Sequence, residues 1–177
     1  IWNASRFVMM NLEGVDNKSI DKSKLTLVDK WILNQLNETA KIVNENMKEY
    51  RIGEIAHTLY DFFRSEYCDW YVEIAKIQLQ DPELKANTQR VLRYVLDMSL
   101  RMLHPIMPHI TEEIWQDIKA ISGFGADEDA PSALIIADFP VYNEKWAFTK
   151  EAEEMNLVFE TIKSLRNVRQ SFNIPTS

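Results

Sequence analysis

Apolar residues recur along most of this chain at intervals of three or four, the spacing that gathers them on one face of an α-helix. The first such stretch, residues 2–13 (WNASRFVMMNLE), predicts a helix, and the polar run from Gly14 to Lys24 predicts a loop. Thr26 with Asp29 three residues later makes a capping pair. Val28, Trp31, Ile32, Leu36, Ala40, Val43, Met47 and Tyr50 then mark a long second helix. A break near Gly53 precedes a third, in which Ile55, Leu59, Phe63, Tyr67, Trp70, Tyr71 and Ile74 keep the rhythm for about seven turns. Asp81-Pro82 supplies an N-cap and a proline at the first helical position of a fourth helix, striped by Val91, Leu92, Val95, Leu96, Leu100 and Leu103 and stopped by Pro105 and Pro108. Thr111 would cap a short fifth helix with Glu112 and Glu113 in its first turn, ended by the loop around Gly123 and Gly125. Residues 133–139 (ALIIADF) are the one β-like run; a lone strand cannot make a sheet, so this run is expected to lie extended across the helices. A sixth helix, from about Glu144 or Lys150 to Phe172, is read with Leu157, Val158, Ile162, Leu165 and Val168 facing inward. The pattern therefore predicts an all-α fold: one helical bundle over residues 1–177, with one short extended segment.

Composition agrees with that picture and narrows the function. With 177 residues, 46% of them apolar, the chain is of ordinary single-domain size, and 4 Gly and 6 Pro are too few to punctuate a many-stranded fold. Cys68 is the only cysteine, which excludes an intrachain disulfide or a Cys-rich zinc module and leads us to expect a cytoplasmic setting. No apolar run approaches the ~18 residues of a membrane span, and no secretion signal opens the chain, so no membrane partner is expected. The start on Ile1-Trp2, without an initiator methionine, leads us to expect a piece of a longer protein.

A net charge of −7 speaks at first against a nucleic-acid partner. The average hides an uneven distribution. Residues 121–156 hold 8 acidic and 2 basic side chains, whereas residues 157–177 hold 3 basic and 1 acidic. That leaves room for local RNA contacts but not for a long DNA-binding channel.

Motifs for nucleotide chemistry are absent: no P-loop, no dinucleotide fingerprint, no zinc-finger spacing. His104, His109, Glu112 and Glu113 do not reproduce a metal-binding HExxH and read as caps at a helix end and a helix start. Cys68 sits among aromatic residues as a small apolar group, with His57, the nearest base in sequence, three helical turns away. Glu66, Asp69 and Glu73 read as the solvated face of a long helix. A stand-alone hydrolase or metalloenzyme thus lacks its paired groups.

The first helix carries more. Asn3, Arg6, Phe7 and Met10 fall within one arc of about 100°, opposite Trp2, Val8, Met9 and Leu12. An amide, a planar cation and an aromatic ring together suit single-stranded RNA, whose bases are splayed out, stacked and hydrogen-bonded along their edges. The alternative is that Phe7 and Met10 belong to the core. On the last helix Lys163, Arg166, Arg169 and Gln170 share a face, which suits either phosphates or the negative end of the helix dipole.

Several segments together resemble the helical anticodon-binding domain of the valyl-tRNA synthetases, which are class I aminoacyl-tRNA synthetases. They are Trp2-Asn3-Ala4-Ser5-Arg6-Phe7-Val8, Asp29-Lys30-Trp31-Ile32-Leu33, Tyr60-Asp61-Phe62-Phe63, Tyr67-Cys68-Asp69-Trp70-Tyr71, His104-Pro105-Ile106-Met107-Pro108 with Ile110-Thr111-Glu112-Glu113-Ile114-Trp115, and Arg166-Asn167-Val168-Arg169 with Asn173-Ile174-Pro175. His-Pro-x-x-Pro is shared with isoleucyl and leucyl relatives; the opening Trp-Asn-Ala-Ser-Arg-Phe and the Cys-Asp-Trp-Tyr run are similar to the valyl enzymes in particular. His109 departs from the aromatic residue expected after His-Pro-x-x-Pro, and the acidic loop at 122–132 is particular to this chain. The resemblance implies a module that docks the anticodon stem and loop of valine tRNA beside the catalytic domain of the same synthetase. ATP would bind to that catalytic domain, so this piece alone is expected to be inactive and to hold no cofactor. Asn3 and Arg6 would contact base edges or phosphates, and Phe7 would stack or support that surface. Arg166 and Arg169 would meet the stem backbone, and Lys18, Lys22 and Lys24 would add mobile phosphate contacts. A helical protein-interaction module without RNA binding is the competing reading.

Overall fold

In a computed structural model, which describes residues 1–12, 14–16, 18–122 and 131–172, the chain is an all-α bundle with no strand among those residues. The readings placed on Gly123, Gly125, most of the acidic loop at 122–132, and Asn173-Ile174-Pro175 lie outside the described residues. Helix α1 (Trp2–Asn11) is followed by a loop containing a 3-10 turn, Lys22–Lys24, and then by α2 (Leu27–Lys48). The capping pair is present in full. Asp29 N donates to Thr26 Oγ1 (3.3 Å), and Thr26 N donates to Asp29 Oδ2 (2.9 Å).

The break after α2 falls earlier than Gly53. Tyr50 reverses the chain at φ 55°, a left-handed conformation costly for a non-glycine residue, and α3 (Ile52–Asp61) already contains Gly53. Helix α3 runs into a π-helical stretch, Phe62–Tyr71, and on into α4 (Val72–Gln78), so the three form one rod. Its buried residues fall in two series through Tyr67: Phe63, Tyr67 and Tyr71 four apart, and Phe62, Tyr67 and Val72 five apart, the second of which the wider i→i+5 turn keeps on one side where an ordinary helix would rotate it away. Tyr67 and Tyr71 point inward; their hydroxyls donate to Leu92 O (3.0 Å) and Asp29 Oδ1 (2.7 Å).

Helix α5 (Lys85–Leu103) starts later than Asp81-Pro82 suggests, because Asp81 instead organises a turn: its carboxylate accepts from Glu83 N (2.9 Å) and its carbonyl from Lys85 N (2.8 Å). Helix α6 (Pro108–Ser122) starts earlier than a cap at Thr111 would have it. Thr111 is buried inside the helix, donating to Met107 O (2.8 Å), with the His104 ring 2.8 Å from its hydroxyl, and Glu112 and Glu113 lie beyond the first turn.

The expected extended run at 133–139 is interrupted by a 3-10 turn, Leu134–Ile136. An unpaired strand would leave its peptide groups without partners. Here α6 supplies them: Glu112 accepts from Leu134 N (2.9 Å), and Gln116 and Lys119 donate to Ser132 O and Pro131 O (2.8 Å each). The chain then crosses α2, where Asn44 donates to Pro140 O (2.7 Å) while Asn37 and Asn34 accept from Asn143 N and Phe148 N (2.7 and 2.9 Å). After a last 3-10 turn, Glu144–Trp146, helix α7 (Thr149–Ser171) returns along α2.

One hydrophobic core joins the elements. Helix α2 lies at its centre, packed by α3, α5 and α7, while α1 rests on α5 and α6. On α7 the sequence reading is corrected: Ala152, Met155 and Phe159 face inward, whereas Leu157, Val158, Leu165 and Val168 are exposed and only Ile162 of the predicted set is half-buried. Helix α7 carries apolar residues on two sides, and spacing alone cannot say which side docks.

Candidate nucleic-acid interface

Helix α1 sorts its residues cleanly. Ser5, Val8 and Leu12 are buried against the core, and Asn3, Arg6 and Met10 stand in solvent as one face. Trp2, placed by spacing on the inner side, is 45% exposed at the end of the helix. Phe7 lies between the two sides: half-buried, packed on the core, with the Lys76 ammonium of α4 5.5 Å from its ring centroid. Lys76 is held there by Glu73 (2.6 Å). Thus Phe7 is neither a free stacking platform nor a closed core residue, but a half-buried ring whose face lies beneath a cation.

On α7, Arg166 lies over the Trp70 ring, 5.2 Å from its centroid. Trp70 packs on Phe159 (4.1 Å between centroids), and Phe159 also meets Trp31 edge-on (4.8 Å). Arg169 and Gln170 are exposed further along, and Lys163 pairs with Glu160 (3.0 Å). The α1 and α7 candidates are therefore not in one cluster. They flank the rod from two sides, one set reaching it at Lys76 and the other at Trp70.

The loop lysines divide. Lys22 is not mobile: its ammonium donates to Lys145 O (2.7 Å) and sits over the Trp146 ring (5.0 Å), so the 3-10 turn that carries it is tied to the 3-10 turn before α7. Lys18 and Lys24 remain exposed, the former 3.8 Å from Asp16. Asp16 itself takes a two-pronged bond from Arg90 (2.7 Å at each oxygen), which holds its carboxyl below the usual range and fixes the loop on α5.

Two residues near these faces had no signal of their own in the sequence: Lys76 and Asp117 read as ordinary helix-surface charges, whereas Trp70 was legible in the apolar stripe of the third predicted helix and in the Cys-Asp-Trp-Tyr resemblance. Asp117 lines a groove with Arg6, and neither residue has a partner among those described.

Nothing in the remaining titratable groups assembles a catalytic centre among the described residues. Burial pushes the Cys68 thiol up to about 11, away from the reactive thiolate, and the cavity of about 340 Å³ beside it is lined mostly by apolar residues such as Leu59, Phe63 and Leu103. Glu66 is not the solvated carboxylate expected. It is half-buried, bonded to Gln35 (2.9 Å), and raised by burial. His57 and Asp61 (3.3 Å) form an exposed pair on α3. Among the described residues no His, Cys, Asp and Glu gather into a metal-binding group, and no helix is long and apolar enough to cross a membrane.

Comparison with known proteins gives a consistent result. The family model described as the anticodon-binding domain of tRNA ligase matches residues 29–177. The valine–tRNA ligase of Listeria monocytogenes is 44% identical over 180 residues, covering 100% of this chain and 19% of that protein. The valine–tRNA ligase of Fusobacterium nucleatum is 44% identical over 176 residues (96% of this chain, 19% of that protein), and that of Bacillus cereus 41% over 180 residues (100% and 19%). The chain thus spans about a fifth of the length of these relatives. The family match begins inside α2, so α1 lies outside it, whereas the similarity to the two ligases aligned over the whole chain takes in α1.

Proposed function

This chain belongs to the family of anticodon-binding domains of tRNA ligases, and from that premise we propose that it is the part of a valine–tRNA ligase that docks the anticodon stem and loop of valine tRNA. The competing reading, a protein-interaction module, is not favoured by these matches. On this proposal the aminoacylation, its ATP and the catalytic domain belong to the rest of the enzyme, and the setting is the cytoplasm. This chain supplies no glycine-rich phosphate cradle of its own.

The observation that carries the reading is the exposed α1 face within the span shared with those ligases. Asn3 and Arg6 stand clear of the core and have no side-chain partner among the described residues, so their amide and guanidinium can reach base edges. Phe7 supports that face from beneath Lys76. Arg166 and Arg169 give a second, phosphate-seeking contact on the other flank of the rod.

The test is equilibrium binding of this chain to valine tRNA and to the same tRNA with its anticodon replaced, at two salt concentrations. Tighter binding to the native anticodon that persists at the higher salt is expected. Binding that ignores the anticodon and vanishes with salt would reduce the interaction to phosphate contact and overturn the proposal. Arg6→Ala should weaken anticodon-dependent binding by about 1–3 kcal/mol if Arg6 reads a base. An equal loss on every tRNA would reassign it to phosphate.

A further inference from the structure

Helix α7 carries a second apolar face that no described residue covers. Between residues 157 and 172, Leu157, Val158, Thr161, Leu165, Val168 and Phe172 fall within one arc of about 100°, and no charged residue joins them. Leu157, Leu165, Val168 and Phe172 are each more than half exposed, whereas Ala152, Met155 and Phe159, on a different face, hold the helix on the core. Thr161 does not interrupt the stripe: its hydroxyl donates to Leu157 O (2.8 Å) and is thereby satisfied within the helix. From Val158 to Phe172 the steps are three, four, three and four residues, the spacing of a seam that receives another helix. A contiguous apolar face of this kind is rarely left to water. It offers RNA no cation, and Arg166 leaves α7 on another side, over Trp70.

Resting on the reading of this chain as part of a longer ligase, we propose that the seam at 158–172 is the docking surface for an amphipathic helix of the same polypeptide, outside these 177 residues. This chain covers 19% of each of the two ligases that align over its whole length, which leaves ample polypeptide to supply such a helix. A second copy of this chain fits less well. The seam is about two heptads long, short of the roughly three to four that mark a free-standing coiled coil. The positions along one border of it, Leu157, Ser164 and Ser171, carry no charge with which two copies could fix their register. A helix tethered to the same polypeptide escapes both limits. It meets the seam at an effective concentration on the order of mM, so a short contact is enough. Its own apolar residues, at the same three-and-four spacing, enter the holes between Leu165, Val168 and Phe172.

The experiment compares this chain with the complete polypeptide that contains it, each carrying Val158→Cys, Leu165→Cys or Phe172→Cys on the seam, or Asn167→Cys on the polar side of α7. Maleimide labelling is followed site by site by mass spectrometry. Cys68, whose thiol burial pushes up to about 11, reacts slowly throughout. All four introduced cysteines should label fast in this chain alone. In the complete polypeptide the three seam sites should label more slowly by roughly tenfold or more, with Asn167→Cys unchanged. Equal seam rates in the two proteins would overturn the proposal. So would seam protection in this chain alone together with a doubled mass in sedimentation, which would make a second copy the occupant. Valine charging by the complete polypeptide, measured alongside, tests the reading beneath. Charging with an open seam sinks the docking alone; a protected seam without charging supports the docking and overturns the ligase reading.

Discussion

Asp29 does two jobs that pull its proton affinity in opposite directions. As the third residue of α2 it closes the capping box with Thr26, and its other oxygen accepts from the buried Tyr71 hydroxyl. Burial outweighs these bonds and raises its carboxyl above the usual range. The consequence for stability has a definite sign. Between the ordinary carboxylate value of about 4 and the raised folded value, the folded chain keeps a proton that the unfolded chain has released, so stability falls as pH rises through that window. Urea unfolding of the unaltered chain and of Asp29→Asn, from about pH 4 upward, should show the difference between them shifting against the unaltered chain across the window and then levelling off. Parallel curves would mean that Asp29 titrates as an ordinary carboxylate. The Thr26–Asp29 pair was readable in the sequence because both partners lie within one turn. The Tyr71 hydroxyl was not, being 42 residues away and brought in by the fold of the rod.

At the level of elements, the same division between local and distant causes decides what the hydrophobic pattern reveals. Helical spans were legible throughout, since a stripe at three and four residues is written in the segment itself. Their ends shifted where a side chain found a different partner, as Asp81 did in its turn and Thr111 did inside α6. The inward face of α7 was misread because it is chosen by Trp31 and Trp70, both of which pack on Phe159. Phe159→Ala should therefore cost about 3–5 kcal/mol of unfolding free energy. Leu165, 59% exposed and counted inward by spacing, should change it by no more than about 0.5 kcal/mol on replacement by alanine. Urea denaturation of both variants checks the orientation of the helix, and the reverse ranking would restore the face that the sequence suggested. The π-helical stretch is a further case: four-and-five spacing is visible in hindsight, but only the buried hydroxyl partners of Tyr67 and Tyr71 make it the favoured turn.

For the molecule as a whole, a net charge of −7 limits how RNA can be held. The candidate site was legible at α1 as a set of exposed residues and at α7 as a basic face, but not as two contacts flanking one rod, because Lys76 and Trp70 enter from a third element. A ligand spanning both flanks would meet few cations, so its affinity should vary only shallowly with salt. In double-stranded and single-stranded nucleic acid each neutralised phosphate contributes roughly 0.7–0.9 to the slope of log affinity against log salt. Arg166→Ala and Arg169→Ala should each lower the slope by about that amount and weaken native and anticodon-replaced tRNA alike. Arg6→Ala should leave the slope nearly unchanged while narrowing the gap between the two tRNAs. Binding titrations of the three variants over a salt series separate these roles. An unchanged slope on loss of Arg166 would confine that residue to its stacking on Trp70 and to the C-terminal end of the α7 dipole, with the stem backbone held elsewhere.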